Sequence, residues 1–231
     1  KRKNVQFIFH NIDDKKVFLS KGYTTNQNTT LIEGSGVDCN FFKPSENIKK
    51  NKNTINILFP ARLIREKGII ELIEACEILW KENFNFNLLI AGELDSGNNS
   101  SLPIQELERI RINKKIKFLG HLEDMRIAYE KCDLVVLPSW REGLSRALIE
   151  ASSMECPIIT TNVPGCREIV DDQINGLLVS PKEIDELKNA IKRLILNKDI
   201  FKMFAKNARA KAIKKYDAKI VNKKIINLFM S

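Results

Sequence analysis

Leu134-Val135-Val136-Leu137-Pro138-Ser139-Trp140-Arg141-Glu142-Gly143-Leu144-Ser145-Arg146-Ala147-Leu148-Ile149-Glu150-Ala151 divides into a strand, a loop and a helix. Four apolar residues run into a proline, which has no N–H with which to continue a ladder. After a polar loop, Leu144, Leu148 and Ala151 recur at helical spacing. A short, wholly apolar strand feeding a helix is the unit of a parallel sheet whose two faces are both covered. The loop also carries chemistry. Glu142 falls in the turn, Glu150 falls about a turn and a half into the helix, and the residues between them, Gly143, Leu144 and Ser145, can offer backbone N–H groups to phosphate oxygens. That offset could let one acid address a sugar hydroxyl while the other accepts hydrogen bonds from a ribose, although two acids at this spacing are more often surface charge.

The same unit recurs on both sides of this stretch. Strands are expected at Ile55–Phe59, Leu88–Ala91, Ile116–Leu119, Leu134–Leu137, Pro157–Thr161 and Leu177–Val179, with helical patterns between them such as Ile69, Ile73, Cys76 and Trp80. Six strands alternating with helices predict an α/β, Rossmann-like, doubly wound parallel sheet over residues 54–216. A final helical pattern follows at 217–231. Residues 44–53 are polar and aperiodic, as a linker is. Ahead of them, residues 1–43 offer strands at Val5–Phe9 and Thr30–Ile32 and a helix at Asp13–Leu19, too little to bury a core alone. This segment is expected to be the tail of a truncated preceding domain, an expectation strengthened by Lys1 standing where an initiator Met would be.

Composition narrows the class. With 43% hydrophobic residues the chain is that of a globular protein, and its five scattered cysteines form neither a C-x-x-C pair nor a disulfide framework. A cytoplasmic setting is expected. No apolar run approaches the roughly 18 residues of a membrane span. The net charge of +9 suggests nucleic acid until it is located: over residues 182–231 Lys and Arg outnumber Asp and Glu 14 to 5, whereas the rest balances at 24 each. That excess marks a basic amphipathic helix carrying Lys202, Lys206, Arg209 and Lys211. Such a face is either simply solvated or docks on an anionic cytosolic leaflet. With 7% aromatic residues and no RNA-reading motif, nucleic acid is not the expected partner.

Ligands of an open parallel sheet bind beyond the C-terminal ends of its strands. After the first strand, Arg62 and Lys67 lie on a short loop that opens a helix, a fork-shaped guanidinium and a point-charge ammonium suited to a diphosphate, although loop cations are often merely solvated. Gly165 and Gly176 are expected at turns or close approaches. Arg167 and Glu168 have a structural role in this reading.

The ordered set of motifs resembles glycosyltransferase family 4, the large retaining group with the GT-B fold. It comprises Gly34-Ser35-Gly36-Val37-Asp38 with Phe42 and Pro44, Arg62 to Gly68, Ala91-Gly92, and Phe118-Leu119-Gly120-His121. Asp133 to Ser139, the Glu142 and Glu150 pair, and Asn175-Gly176-Leu177-Leu178-Val179 complete it. Pro138 to Gly143 and Val163 to Glu168 are most similar to bacterial transferases that build polysaccharide or O-antigen repeat units. The resemblance implies the donor-binding, C-terminal half of such an enzyme. In that role Arg62, Lys67, Gly143, Leu144 and Ser145 would hold the donor diphosphate, Glu150 the ribose, and Glu142, as catalytic residue, the transferred sugar. Main-chain groups at Leu119, His121 and Leu122 would face the base.

It further implies metal-independent chemistry with no cofactor and a nucleotide sugar, UDP-linked by branch, as substrate. The acceptor would be a glycan or polyprenyl-linked sugar, met at the cytosolic face of the membrane. The chain departs from the pattern at Ala61, where Gly is frequent, at Ser145, where Pro is common, and after Gly92, where a second glycine is missing. Neither His10 nor His121 occupies the position of the family's N-terminal-domain histidine. Two other readings stay open: a non-catalytic nucleotide-binding or membrane-docking module, and a sugar-nucleotide epimerase of the same fold. The Glu142 and Glu150 pair favours transfer.

Overall fold

A computed structural model describes residues 5–45 and 54–230. Of the expected linker, residues 46–53 lie outside the described residues. The central feature is a six-stranded sheet formed by β3 (Ile55–Phe59), β4 (Phe86–Ala91), β5 (Ile116–Gly120), β6 (Leu134–Leu137), β7 (Ile158–Thr161) and β8 (Gly176–Val179). Every neighbouring pair is parallel, in the order β5-β4-β3-β6-β7-β8. The chain therefore winds outward from β3 in one direction and, after crossing back to β6, in the other. The switch point lies between β3 and β6.

All six strands expected from the sequence are present, with four ends shifted by one or two residues; two of the shifts have local causes. β4 begins two residues early because Asn87, which interrupts its apolar run, donates from Nδ2 to Asn56 Oδ1 on β3 at 2.9 Å. β7 begins after Pro157, which accepts from Val135 N–H but has none of its own to give.

Helices α2 (Ile69–Lys81), α3 (Ile104–Arg111), α4 (Arg126–Lys131), α5 (Arg146–Ser153), α6 (Ile184–Leu196) and α7 (Lys198–Lys211) flank the sheet. α2 packs on α6, and α5 packs on α7 and the π turn Ala212–Tyr216 that follows it. The core they close is mainly apolar, and β6 and β7 are buried along their whole length, with the β7 hydroxyls of Thr160 and Thr161 donating to Leu137 O and Ser139 O. α2 buries Ile69, Leu72, Ile73, Ala75, Cys76 and Leu79 and is followed, after its cap Glu82, by Asn83, which takes the left-handed conformation common after a helix. Leu144, expected in the α5 stripe, instead precedes that helix and packs against Gly34.

Residues before 44 form a small parallel pair, β1 (Phe7–Phe9) with β2 (Thr29–Leu31), joined through α1 (Ile12–Ser20). The segment does not stand apart. Val37 and Phe42 belong to the main core, and Phe42 meets the buried Tyr129 edge-on at 6.4 Å. Val37 also pairs with the other end of the chain, donating to Tyr216 O and accepting from Ala218 N–H, where α8 (Ala218–Met230) begins.

Candidate active site

The loops after β3 and β6 face each other across the switch point, the crevice in which a doubly wound sheet takes its ligand. Gly68 brings them together. Its φ of +75° is left-handed, and a Cβ on it would fall 2.1 Å from Pro138 O, so only glycine permits this approach. Two bonds fasten the same seam: Trp140 N–H to Glu66 O at 2.8 Å, and the Trp140 indole to Glu71 Oε1 at 2.9 Å.

Lys67 and Glu142 meet across that seam. Lys67 Nζ lies 2.6 Å from Glu142 Oε1, and Ser139 Oγ donates to the same oxygen at 2.8 Å. Both side chains are largely buried. Both bonds fall on Oε1, so among the described residues no hydrogen bond falls on Oε2, which can address a ligand hydroxyl.

Glu150, on α5, is equally sheltered. Arg146 donates to its Oε1 at 2.9 Å, and the Tyr129 hydroxyl lies 3.2 Å from its Oε2 and 3.0 Å from Ala147 O. Burial, with the Glu150 charge beside it, pushes the Tyr129 pKa well up, so the phenol keeps its proton as a donor.

The turn between the two acids is braced from behind. Gly165, at φ +81°, sits so close that a Cβ would lie 2.7 Å from Glu142 O and 2.6 Å from Gly143 O, and Asn11 Nδ2 donates to Gly143 O at 2.9 Å. A trans peptide points its N–H opposite its C=O, so the Gly143 and Leu144 N–H groups are turned away from that brace. Ser145 differs from expectation. Its N–H donates to Gly165 O at 3.4 Å and is not free for phosphate. A proline there would lose this bond. Arg167 and Glu168 are structural: Arg167 pairs with Asp13 at 2.8 Å, and Glu168 accepts from Gly165 N–H.

A cleft of about 460 Å³ adjoins the β3 loop, lined by Ala61, Arg62, Gly92, Asp95, His121 and Leu122 among others. A Cβ on Gly92 would lie 1.9 Å from Ala61 O, so the floor is a glycine by steric necessity. Of the three residues expected to face the base, His121 and Leu122 line this cleft, whereas Leu119 lies inside β5 and packs against the core. The His121 N–H is engaged by Glu93 Oε1 at 3.1 Å. Arg62 is paired with Asp95.

The model of the glycosyl transferases group 1 family matches residues 40–211. The chain belongs to that family. It is 26% identical over 222 residues to the capsular polysaccharide biosynthesis glycosyltransferase CapM of Staphylococcus aureus, covering 93% of this chain and 58% of CapM. It is 26% identical to the N,N'-diacetylbacillosaminyl-diphospho-undecaprenol alpha-1,3-N-acetylgalactosaminyltransferase of Campylobacter jejuni, covering 97% of this chain and 60% of that protein. The chain thus spans about 60% of the length of these curated relatives. Its fold is shared with Anabaena Alr3699/HepE, solved in complex with UDP-glucose, at a TM-score of 0.85 and 24% identity, covering 99% of this chain and 64% of that one. These matches establish the family and the sheet that carries the site.

Several residues that shape the site escape sequence reading: Glu93, Asp95, Ser139, Tyr129, Arg146 and Asn11. A local signal existed for two of them, since Glu93 and Asp95 directly follow the Ala91-Gly92 pair at the C-terminal end of a strand. Asn11 and Tyr129 act from 132 and 21 residues away, and no local pattern announces them.

Proposed function

We propose that this chain is the donor-binding part of a retaining, metal-independent glycosyltransferase. The enzyme would move a hexose or N-acetylhexosamine from a UDP-sugar to a glycan or polyprenyl-linked acceptor in bacterial surface polysaccharide synthesis. The observation that carries this is the Lys67–Glu142 pair closed across the switch point, with Arg62 on the same β3 loop and Glu150 on the helix that follows the β6 loop. Arg62 and Lys67 offset the charge of the diphosphate, joined by the N–H groups of Gly143 and Leu144. Glu150 receives the ribose hydroxyls as Arg146 yields, and Glu142 Oε2 takes a hydroxyl of the sugar. As the anomeric carbon becomes cation-like, the cations stabilise the departing nucleotide diphosphate, and preorganised charge of this kind is the largest source of rate in such sites. UDP-glucose bound by HepE and the undecaprenol-linked substrate in the name of the C. jejuni relative support donor and acceptor class.

Calorimetric titration with UDP, GDP and ADP tests this reading. The expected result is saturable binding of UDP that Arg62→Ala and Glu150→Ala each weaken at least tenfold. Equal, unsaturable heats for all three nucleotides would overturn it.

A further inference from the structure

Every charged side chain of the site that would face the donor is already paired within the chain: Lys67 with Glu142, Glu150 with Arg146, and Arg62 with Asp95. The third pair differs from the others. Lys67 and Glu142 are both site groups, and a ligand can add to them without parting them. Arg146 is 66% exposed, so it can leave Glu150 for solvent when a ligand arrives. Asp95, by contrast, lies in the cleft and puts its carboxylate on the group expected to grip phosphate.

The loop holding Asp95 is fixed. Leu63 N–H donates to Glu93 O and Arg65 N–H to Ser100 O, both at 2.9 Å. Leu102 N–H returns to Leu63 O at 3.0 Å. Ser100 Oγ reaches Glu66, and Ile64 bridges Ser101. Residues 93–102 are thereby stitched along the Arg62–Glu66 segment. Within the loop Asp95 O accepts from Asn98 N–H, closing a turn that sets the carboxylate. Asp95 is 28% exposed and Arg62 60%, so the acid is the fixed partner and the guanidinium the movable one. A carboxylate offers a guanidinium the same planar pair of oxygens that a phosphate does.

We infer that Asp95 is a built-in competitor of the donor diphosphate: it holds Arg62 whenever no nucleotide is bound and sets the affinity and phosphate selectivity of the nucleotide. The inference rests on the donor-site reading above. Binding of a nucleoside diphosphate exchanges Asp95 for phosphate oxygens on Arg62 and leaves a carboxylate near the incoming charge. Both effects weaken binding, and neither touches the nucleoside.

The test is titration of UDP and uridine into the wild-type chain, Asp95→Asn, Arg62→Ala and the double variant. Asparagine keeps the shape of Asp95. Asp95→Ser, which offers Arg62 no second amide, is carried beside it and must move the same way. Removing the carboxylate is expected to tighten UDP about threefold to tenfold, the scale of an exposed ion pair plus relieved repulsion. Uridine affinity should not change, and in the Arg62→Ala background the gain should shrink to the part that relieved repulsion alone supplies. An unchanged UDP affinity, an equal gain for uridine, or an equal gain without Arg62 would each overturn the role of Asp95. Failure of the wild-type chain to bind UDP would overturn the donor-site reading itself.

Discussion

At the scale of single residues, the seam between the β3 and β6 loops turns on one ion pair. Glu142 has a side chain 10% exposed and is anchored by Lys67 and Ser139. Truncating only one member of a sheltered pair strands the other without water or partner. Lys67→Met is therefore expected to cost about 1–3 kcal/mol of stability. The Lys67→Met/Glu142→Gln double variant should recover part of that loss, because the stranded charge is gone. Urea unfolding of the four proteins reads the cycle, and additive losses would show that the two side chains do not interact. Nucleotide binding should fall in both single variants, since Lys67 and Glu142 belong to the site as well as to the seam. The sequence made these two residues candidates, as a cation and an acid beyond the ends of two apolar strands. It could not pair them, because 75 residues separate them and the pairing follows from the left-handed Gly68 pressed against Pro138.

At the scale of elements, the strands were legible because burial on both faces demands unbroken apolar runs, and the helices because a buried stripe repeats. Partners of exposed-looking charges were not, and α7 shows the difference. Lys202, Lys206, Arg209 and Lys211 appear equivalent in sequence, yet two of these four are structural. The Arg209 guanidinium donates to the carbonyls of Ser153 and Phe42 and lies 3.5 Å from Glu155, closing the end of α5. Lys211 pairs with Asp171 at 2.8 Å, and its burial holds its pKa below the ordinary lysine value despite that partner. Lys202 and Lys206 remain exposed, one turn apart. Docking on an anionic leaflet, where about 1 kcal/mol is gained per well-placed cation, should therefore depend on these two. Lys202→Gln/Lys206→Gln is expected to weaken binding to phosphatidylglycerol vesicles about tenfold or more without moving the melting temperature. Arg209→Gln should lower the melting temperature. Vesicle binding unchanged by the lysine pair would remove α7 from any membrane role.

At the scale of the whole molecule, the two ends of the chain are sewn together. The β1, α1 and β2 segment is too small to hold a core of its own, so its order is drawn from what it touches. Gly36, at φ +73°, lets Val37 lie against Ala218, where an added Cβ would come within 2.8 Å of Ala218 Cα. Beside this backbone seam, Glu33 receives Lys215 of the π turn at 2.9 Å and Lys224 of α8 at 3.3 Å. Burial raises the Glu33 pKa, but the two ammonium groups outweigh it and hold the carboxyl below its ordinary value of 4.5. A carboxyl whose pKa falls on folding contributes its stability in full above the unfolded value and loses it as pH drops through the folded one. Glu33→Gln should thus lower stability at pH 7 by about 1 kcal/mol, the scale of a partly sheltered ion pair. The gap between variant and wild type should narrow steadily below pH 4.5, because the protonated acid and the amide are then alike. Paired urea midpoints from neutral pH downward measure that gap. A gap that stayed constant across the series would mean that Glu33 joins the two ends by packing and not by charge.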